Sequence, residues 1–305
     1  MIYDCIVIGG GPAGSVCSYI LQKNGLKCLV LEKRTHIDEK TCGGFLTNKC
    51  RELLLECGIS LDGLYSTCNI IKGLDEFREN NVKTYRYSKD KFGFGTFRKN
   101  LDSYLLNQSK NIGTVVKLGE YVRDYDYEDN LYYVNGFCAK KIVWAIGTST
   151  LCNLKCLDRN KVSAKIKDQS LGISEIIRCG KVELKKDTVY FWYTGLSNDY
   201  FWAIPIGDTI WNIGYWSQDD KINLKRNFEE GRKRFVDEFC VDITTLRRPK
   251  GALLGNSDFS DCFTEGAVLS CGDFAGTNNY DTGEGICQAI SSAKSVADRI
   301  IQCIV

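Results

Sequence analysis

The N-terminal segment constrains the fold more than any other part of the chain. Residues 3–8 (YDCIVI) form an apolar, strand-like run that leads directly into Gly9-Gly10-Gly11-Pro12-Ala13-Gly14. Small and apolar residues at helical spacing follow over residues 15–23, and residues 27–32 (KCLVLE) read as a second strand. A strand, a glycine turn, a helix and a strand within about 30 residues have the size of a βαβ unit.

The glycine spacing in this unit predicts a dinucleotide site. Gly9, Gly11 and Gly14 match the pattern GxGxxG, which allows a tight turn, close approach to a pyrophosphate and close helix packing. The helix N-terminus adds amide donors and a positive dipole end. Glu32 ends the second strand, where a carboxylate can accept hydrogen bonds from a ribose. The alternative is a glycine turn in an ordinary α/β protein.

A second glycine motif lies near the other end of the sequence. Its parts are the strand 267–271, the string GDFAG from Gly272, the string DTGEG ending at Gly285, and a helix over 286–301. Asp273 can accept from ribityl or ribose hydroxyls, and amides at the helix start can face the electron-rich edge of a flavin. This order favours FAD over NAD, and the alternative is a helix cap with two loop glycines.

Composition excludes several other classes of protein. The 305 residues carry 40 Lys+Arg against 38 Asp+Glu, so charge favours neither nucleic acid nor an anionic membrane surface. The 16 cysteines are dispersed without a CxxC pair, and His36 is the one histidine, so we expect reduced thiols and no metal site. No apolar run approaches the roughly 18 residues of a membrane span. These features predict a soluble, cytoplasmic protein without an integral membrane segment.

Periodicity along the chain predicts two domains. Helices are expected over 47–58 and 98–109, antiparallel strands over 115–122 and 131–134, and a strand over 141–145 that returns to the first sheet. Residues 163–216 are rich in aromatic and β-branched residues, which favours a separate sheet. We predict a cofactor domain in three parts, 1–70, 96–160 and 256–305, and a substrate domain made of 71–95 and 161–255.

Three strings carry a resemblance to a known family. The segment Cys42-Gly43-Gly44-Phe45-Leu46 resembles the CGG segment near the flavin of geranylgeranyl reductases, and the GD…TGEG stretch is similar to a motif of the same family. The string YFWAIP from Tyr200 to Pro205 is similar to their aromatic strand ending in proline. The chain is identified as a member of the FAD-dependent superfamily of geranylgeranyl reductases, aromatic-ring hydroxylases and flavin halogenases, nearest the reductase branch.

This resemblance implies an α/β fold, a glutathione-reductase-like FAD-binding Rossmann domain with an inserted mixed β-sheet substrate domain. It also implies the cofactor contacts, which we predict as Gly9, Gly11, Pro12, Ala13, Gly14, Glu32, Lys33, Cys42, Gly43, Arg98, Val122, Gly147, Asp273, Gly283, Gly285 and Ile286. The predicted substrate residues are Tyr200, Trp202, Pro205 and Tyr280. Cys42 is also a candidate catalytic thiol, and the alternative is a small residue in a tight turn.

The resemblance implies hydride transfer between flavin N5 and a hydrophobic or conjugated small molecule, as in double-bond reductases, with NADPH or NADH as candidate electron donor. The sequence departs from family patterns at Ile146, where hydroxylases have a carboxylate, and at Tyr280, where a proline is usual. Two alternatives therefore stay open. One is a flavin monooxygenase or halogenase, and the other is an FAD-binding protein without catalysis.

Overall fold

A computed structural model describes residues 1–78, 81–87, 93–148, 154–166, 169–180, 184–194, 198–218, 223–262 and 268–304. The strands in this part of the chain are β1 Ile2–Ile8, β2 Cys28–Glu32, β3 Phe45–Leu46, β4 Asn69–Ile71, β5 Gly73–Arg78, β6 Asn81–Arg86, β7 Gly93–Gly95, β8 Val115–Leu118, β9 Asp126–Glu128, β10 Leu131–Val134, β11 Phe137–Trp144, β12 Ser170–Cys179, β13 Thr188–Tyr193, β14 Tyr200–Pro205, β15 Ile210–Ser217, β16 Ile243–Leu254 and β17 Leu269–Ser270. The helices are α1 Pro12–Lys23, α2 Asn48–Glu56, α3 Asp62–Tyr65, α4 Arg98–Asn111, α5 Arg159–Ile166, α6 Leu224–Phe239 and α7 Ile286–Ile304.

The first sheet has the order β8-β2-β1-β11-β10-β9, with β17 paired to β11. Strands β8, β2, β1, β11 and β17 run parallel, while β10 is antiparallel to both β9 and β11. The expectation that residues 115–122 are antiparallel is wrong, because α4 carries the chain across the sheet and returns it beside β2 as a parallel crossover. Of the predicted strand 267–271, residue 267 lies outside the described residues.

One face of this sheet is covered by α1, α4 and α7. Helix α1 can pack closely against its neighbours because it begins with small residues. It is buried over its first ten positions. From α7 the apolar stripe Ile290, Ala293 and Ala297 packs against it. Cys5 and Cys17 lie in the same core as small buried side chains, as expected for free thiols.

The second sheet has the order β16-β12-β15-β14-β13-β5-β6 and is mixed, since β13 and β5 are parallel and the other pairs are antiparallel. The sheet predicted over 163–216 also includes β5 and β6, which precede α4, and β16, which follows α6. Residues 163–166 of the predicted region lie in α5 and not in the sheet. The architecture is the predicted α/β one, a Rossmann-type domain with a mixed β-sheet domain inserted into it.

Alternation along these strands gives the second sheet two apolar faces. Trp192 and Trp211 pack under α6 with its buried Phe228 and Phe235. Trp202 and Trp216 lie on the opposite face, towards the first domain. A small sheet of order β3-β7-β4 joins the domains there. It packs tightly on β14, because a Cβ added at Gly95 of β7 would lie 1.9 Å from the Pro205 carbonyl oxygen.

Candidate active site

Two neighbouring cavities meet at the start of α1. The smaller, of about 310 Å³, lies beyond the carboxyl ends of β1 and β2. The larger, of about 430 Å³, lies between the first domain and the second sheet. Both are lined by Gly11, Lys40, Ala145 and Ile146, so the two cavities adjoin at these residues and are here called the cleft.

The three glycines of the N-terminal motif have different geometric roles. A Cβ at Gly9 would lie 2.4 Å from the Ala145 carbonyl oxygen, and a Cβ at Gly14 would lie 1.9 Å from that of Gly9. A Cβ at Gly11 would meet only the Lys40 Nζ, at 3.3 Å, and would project into the cleft. Gly9 and Gly14 therefore permit packing of α1 on the sheet, while Gly11 keeps space open at the helix N-terminus, where the sequence predicts a phosphate group.

Glu32 closes β2 at the wall of the smaller cavity and is 3% exposed. Its Oε2 accepts a hydrogen bond from the Gly10 amide at 2.7 Å, and its Oε1 accepts from Arg34 Nε at 2.8 Å. Burial alone would raise the pKa of this carboxyl, but Arg34 and the amide donors hold the pKa below its ordinary value. Glu32 therefore stays a carboxylate at neutral pH, as the ribose role requires.

A buried charge cluster lies beside Gly11. Arg98 Nε and Nη2 contact the two carboxylate oxygens of Asp102 at 2.9 and 3.1 Å, and Lys40 Nζ lies 3.4 Å from Asp102 Oδ2. Burial would raise the pKa of Asp102, whereas Arg98 and Lys40 hold it below the ordinary value. The sequence analysis identified Arg98 but not Asp102 or Lys40. The i,i+4 spacing of Arg98 and Asp102 on α4 could have suggested Asp102, whereas Lys40 comes from another segment.

A buried asparagine connects the aromatic sheet to the CGG turn. Asn212 Nδ2 donates to the Cys42 carbonyl oxygen at 2.7 Å, and Trp202 Nε1 donates to Asn212 Oδ1 at 3.0 Å. Asn212 is 1% exposed, and a Cβ at Gly43 would lie 2.8 Å from Ile204 Cδ1. The turn is therefore fixed against β14. The signal that could have revealed Asn212 is a single amide within the otherwise apolar segment of β15.

The second glycine motif closes the other side of the larger cavity. Burial raises the pKa of Asp273, although Arg98 and Lys40 oppose that rise. A Cβ at Gly283 would lie 2.7 Å from Trp216 Nε1, so this loop packs directly on the aromatic sheet. Asn278 is 6% exposed, and its Oδ1 has no hydrogen-bond partner among the described residues. An unsatisfied buried acceptor in the cavity lining fits a bound ligand that donates a hydrogen bond.

Aromatic rings form the wall that faces these loops. The wall consists of Leu74, Phe191, Tyr193, Tyr200, Trp202, Ile204 and Trp216. The Tyr200 hydroxyl donates to the Thr282 carbonyl oxygen at 2.6 Å and so ties the wall to the second glycine motif. Because side chains alternate along these strands, Trp192, Trp211 and Tyr215 face away from the cavity and pack under α6.

The structure brings most predicted site residues to the two cavities. The smaller is lined by Gly9, Gly11, Glu32, Lys33 and Val122. The larger is lined by Gly11, Pro12, Ala13, Cys42, Gly43, Arg98, Gly147, Tyr200, Trp202, Asp273, Gly283, Gly285 and Ile286. Three predicted residues lie outside both linings. Gly14 is packed against β1, Pro205 is paired with Trp211 inside the sheet, and Tyr280 is 56% exposed.

Comparisons with known proteins agree with this geometry. Residues 7–44 match the family model described as an NAD(P)-binding Rossmann-like domain. Digeranylgeranylglycerophospholipid reductase of Methanocaldococcus jannaschii is 27% identical, over 99% of this chain and 78% of the relative. A geranylgeranyl bacteriochlorophyll reductase-like protein from Thermoplasma acidophilum superposes with a TM-score of 0.80 at 22% identity, over 99% of this chain and 79% of that one. Over nearly its whole length the chain is similar to geranylgeranyl reductase-like flavoproteins.

This flavoprotein is an FAD-dependent oxidoreductase. It also resembles the myxobacterial chondrochloren halogenase, with a TM-score of 0.76 at 20% identity over 99% of this chain and 75% of that one. The open space at Gly11, the ionised Glu32 and the unsatisfied Asn278 acceptor fit FAD extended along the cleft. Among the described residues, no helix is long and apolar enough to cross a membrane.

The Asn212 bridge gives a measurable prediction. Asn212→Leu leaves the Trp202 indole N–H and the Cys42 carbonyl unpaired in a buried site, and should lower the free energy of unfolding by about 1–3 kcal/mol. Urea denaturation of Asn212→Leu, Trp202→Phe and the double variant should show non-additive losses. Asn107→Leu, at an exposed position on α4, is the matched control and should have little effect. Additive losses in the double variant would contradict the bridge.

Proposed function

We propose that this flavoprotein reduces a double bond of an apolar or conjugated small molecule bound between the cofactor and the aromatic wall. The observation that supports this most is that the aromatic wall, the CGG turn and the second glycine motif all line one cavity. When bound there, FAD supplies hydride-transfer chemistry at N5. A cavity with an apolar wall and a few fixed polar groups suits a substrate of this class.

The residues of the chain would contribute position and a proton. Trp202 and Tyr200 are held in place by Asn212 and by the Thr282 carbonyl, so they can orient a flat or extended substrate without moving. Cys42 lies in the cavity lining, within hydrogen-bonding reach of Arg98, and is our candidate for proton transfer to the substrate. Arg98 would also complement negative charge on the cofactor.

Four further parts of the proposal concern the protein as a whole. We propose NADPH or NADH as electron donor, the cytoplasm as location, and the division at 1–70, 71–95, 96–160, 161–255 and 256–305 as the two interleaved domains. We also propose the residues of the two cavity linings as the cofactor and substrate contacts. The division is supported by the two separate sheets and by the chain crossings between them near residues 71 and 96. The third crossing follows α5, because Val162 and Ile166 still pack in the core of the first domain.

An anaerobic flavin titration tests the function. We expect the purified protein to bind FAD and to be bleached by NADPH or NADH. We then expect the reduced flavin to be reoxidised by citral, a conjugated enal, or by geranylgeraniol, an isolated polyene, with one saturated bond formed per flavin. In a parallel aerobic run, hydroxylation or halogenation of the organic compound without saturation of a double bond would instead indicate a monooxygenase or halogenase. A protein that only binds FAD would behave differently. Dithionite would reduce its flavin, but no pyridine nucleotide would reduce it and no organic compound would reoxidise it.

A cysteine replacement separates catalysis from binding. Cys42→Ser should slow reoxidation by the organic substrate roughly a hundredfold, within the range of general acid catalysis, and leave FAD occupancy unchanged. Cys138→Ser changes a thiol outside both cavity linings and serves as the control. Equal rates in the two variants would assign Cys42 a packing role.

A further inference from the structure

Lys40 lies where the two cavities of the cleft adjoin. Among the described lining residues, it is the only charged side chain that lines both cavities. It comes from the loop between β2 and β3, outside both glycine motifs. Its Nζ lies 3.3 Å from the position that a Cβ on Gly11 would occupy. The ammonium group is therefore beside the open space at the start of α1.

The start of α1 also presents positive charge to this space. Its N-cap is Gly11, no side chain forms a capping hydrogen bond there, and the first turn contains no acidic residue. Backbone amides in the first turn of a helix have no intrahelical acceptor, and the helix dipole places partial positive charge on them. Lys40 and the helix start thus favour the same kind of ligand, an anion.

Asp102 compensates the charge of Lys40 only in part. Arg98 contacts both carboxylate oxygens of Asp102, at 2.9 and 3.1 Å, whereas Lys40 Nζ lies 3.4 Å from one of them. Burial lowers the pKa of Lys40, and Asp102 opposes that change without restoring the ordinary value. The Lys40 side chain is 39% exposed, so it can turn into the cleft while Arg98 remains to neutralise Asp102.

The other carboxylates near Lys40 have partners of their own. Glu32 accepts hydrogen bonds from a backbone amide and from Arg34. Glu39 accepts from two backbone amides at the start of α4, at 3.0 and 3.2 Å. The remaining charged lining of the smaller cavity is balanced in sign and consists of Asp38, Glu120, Lys33 and Lys250. Among the described carboxylates, Asp102 is therefore the one that an anion at the helix start would displace from Lys40.

We propose that Lys40 binds the diphosphate of FAD and exchanges its contact with Asp102 for the phosphate oxygens. A cofactor that extends through both cavities must place its central part beside Gly11 and Lys40, where the cavities adjoin, and the central part of FAD is the diphosphate. A lysine ammonium is a compact charge with three donors, which suits phosphate oxygens. The inference concerns cofactor binding and does not depend on the proposed double-bond reduction.

Titration calorimetry of the apoprotein with FAD, and with ADP and adenosine as competitors, tests this assignment. ADP carries the diphosphate and adenosine lacks it. Lys40→Met should weaken the binding of FAD and ADP about tenfold or more, the loss expected for a hydrogen bond to a charged group, and leave adenosine nearly unchanged. The fall of ADP affinity with added salt should also become shallower. Unchanged affinity of Lys40→Met for FAD and ADP would overturn the proposal.

Two further variants separate charge from structure. Lys40→Arg keeps the positive charge, so its FAD affinity should be nearer to wild type than to Lys40→Met. Lys99→Met removes the same charge from an exposed position on α4, outside both cavity linings, and should alter neither affinity.

The apoprotein melting temperature shows whether Lys40 has only a structural role. It should stay within a few degrees of wild type in Lys40→Met, because the contact with Asp102 is long and the lysine is partly exposed. Equal losses of ADP and adenosine binding, or a clear fall in melting temperature, would overturn the proposal. These measurements require no turnover, so anaerobic flavin reduction of wild type shows separately whether the proposed function fails.

Discussion

Gly11→Ala should weaken FAD binding at least a hundredfold while the protein remains folded, whereas Gly14→Ala should cause loss of both FAD and stability. The added methyl group at residue 11 meets only the end of a flexible lysine, but it occupies the space where the two cavities join. The methyl group at residue 14 would lie 1.9 Å from a backbone oxygen, so α1 must move away from β1. Overpacking of this kind costs about 1–3 kcal/mol or more.

Flavin absorbance per protein and thermal unfolding of the apoprotein measure the two effects independently. Gly11→Ala should keep the apoprotein melting temperature within a few degrees of wild type, and Gly14→Ala should lower it clearly. Ser295→Ala, at an exposed position on α7, is a control for a small change in a helix. If Gly11→Ala purified with full FAD occupancy, the cofactor pathway through the junction of the two cavities would be wrong.

Asp102→Asn should have the second large effect. The carboxylate is fully buried and contacts two cations, so its neutralisation leaves the buried Arg98 without its counter-ion and also removes the partner of Lys40, whose side chain is 39% exposed. Removal of one partner from a buried pair costs about 3–5 kcal/mol. We expect a fall of that size in the free energy of unfolding, measured by urea denaturation at pH 7. Asp298→Asn, which breaks a half-exposed pair on α7, should cost less than about 1 kcal/mol.

The pH dependence of stability follows from the same site. The pKa of Asp102 is held below its ordinary value in the folded protein, so its contribution is complete above the ordinary carboxyl pKa of about 4. It is lost as the pH falls through the lower pKa of the folded state. Wild type should therefore lose stability on acidification below about pH 4, and Asp102→Asn should show a shallower loss. Parallel pH profiles for the two proteins would contradict this assignment.

The cofactor motif was predictable from sequence because its determinants are local. Gly9, Gly11 and Glu32 lie within one βαβ unit, where backbone geometry alone fixes their separation. The second motif is similarly local, since Asp273 follows β17 and Gly285 directly precedes α7. In both regions the pattern of glycines and apolar residues determines the structure with little influence from distant segments.

Contacts between distant segments were not predictable in this way. Lys40 reaches Asp102 only because the loop after β2 folds over the start of α4, and Asn212 reaches Cys42 only because the second sheet packs on the CGG turn. Pro205 was predicted from its motif, but it does not line the cavity. It is paired with Trp211 inside the second sheet. Period-two alternation could not indicate which aromatic residues face the cavity, because both faces of this sheet are apolar.

The parallel sheet is assembled from parts of the chain that are synthesised far apart in time. Ile8 of β1 pairs with Trp144 of β11, and α1 rests on α7, which is made near the end of the sequence. A ribosome-bound chain that has completed only the βαβ unit would expose the apolar surface of α1, a state prone to aggregation. The larger cavity, which Ile286 and Ala289 help to line, is therefore complete only after α7 has been synthesised.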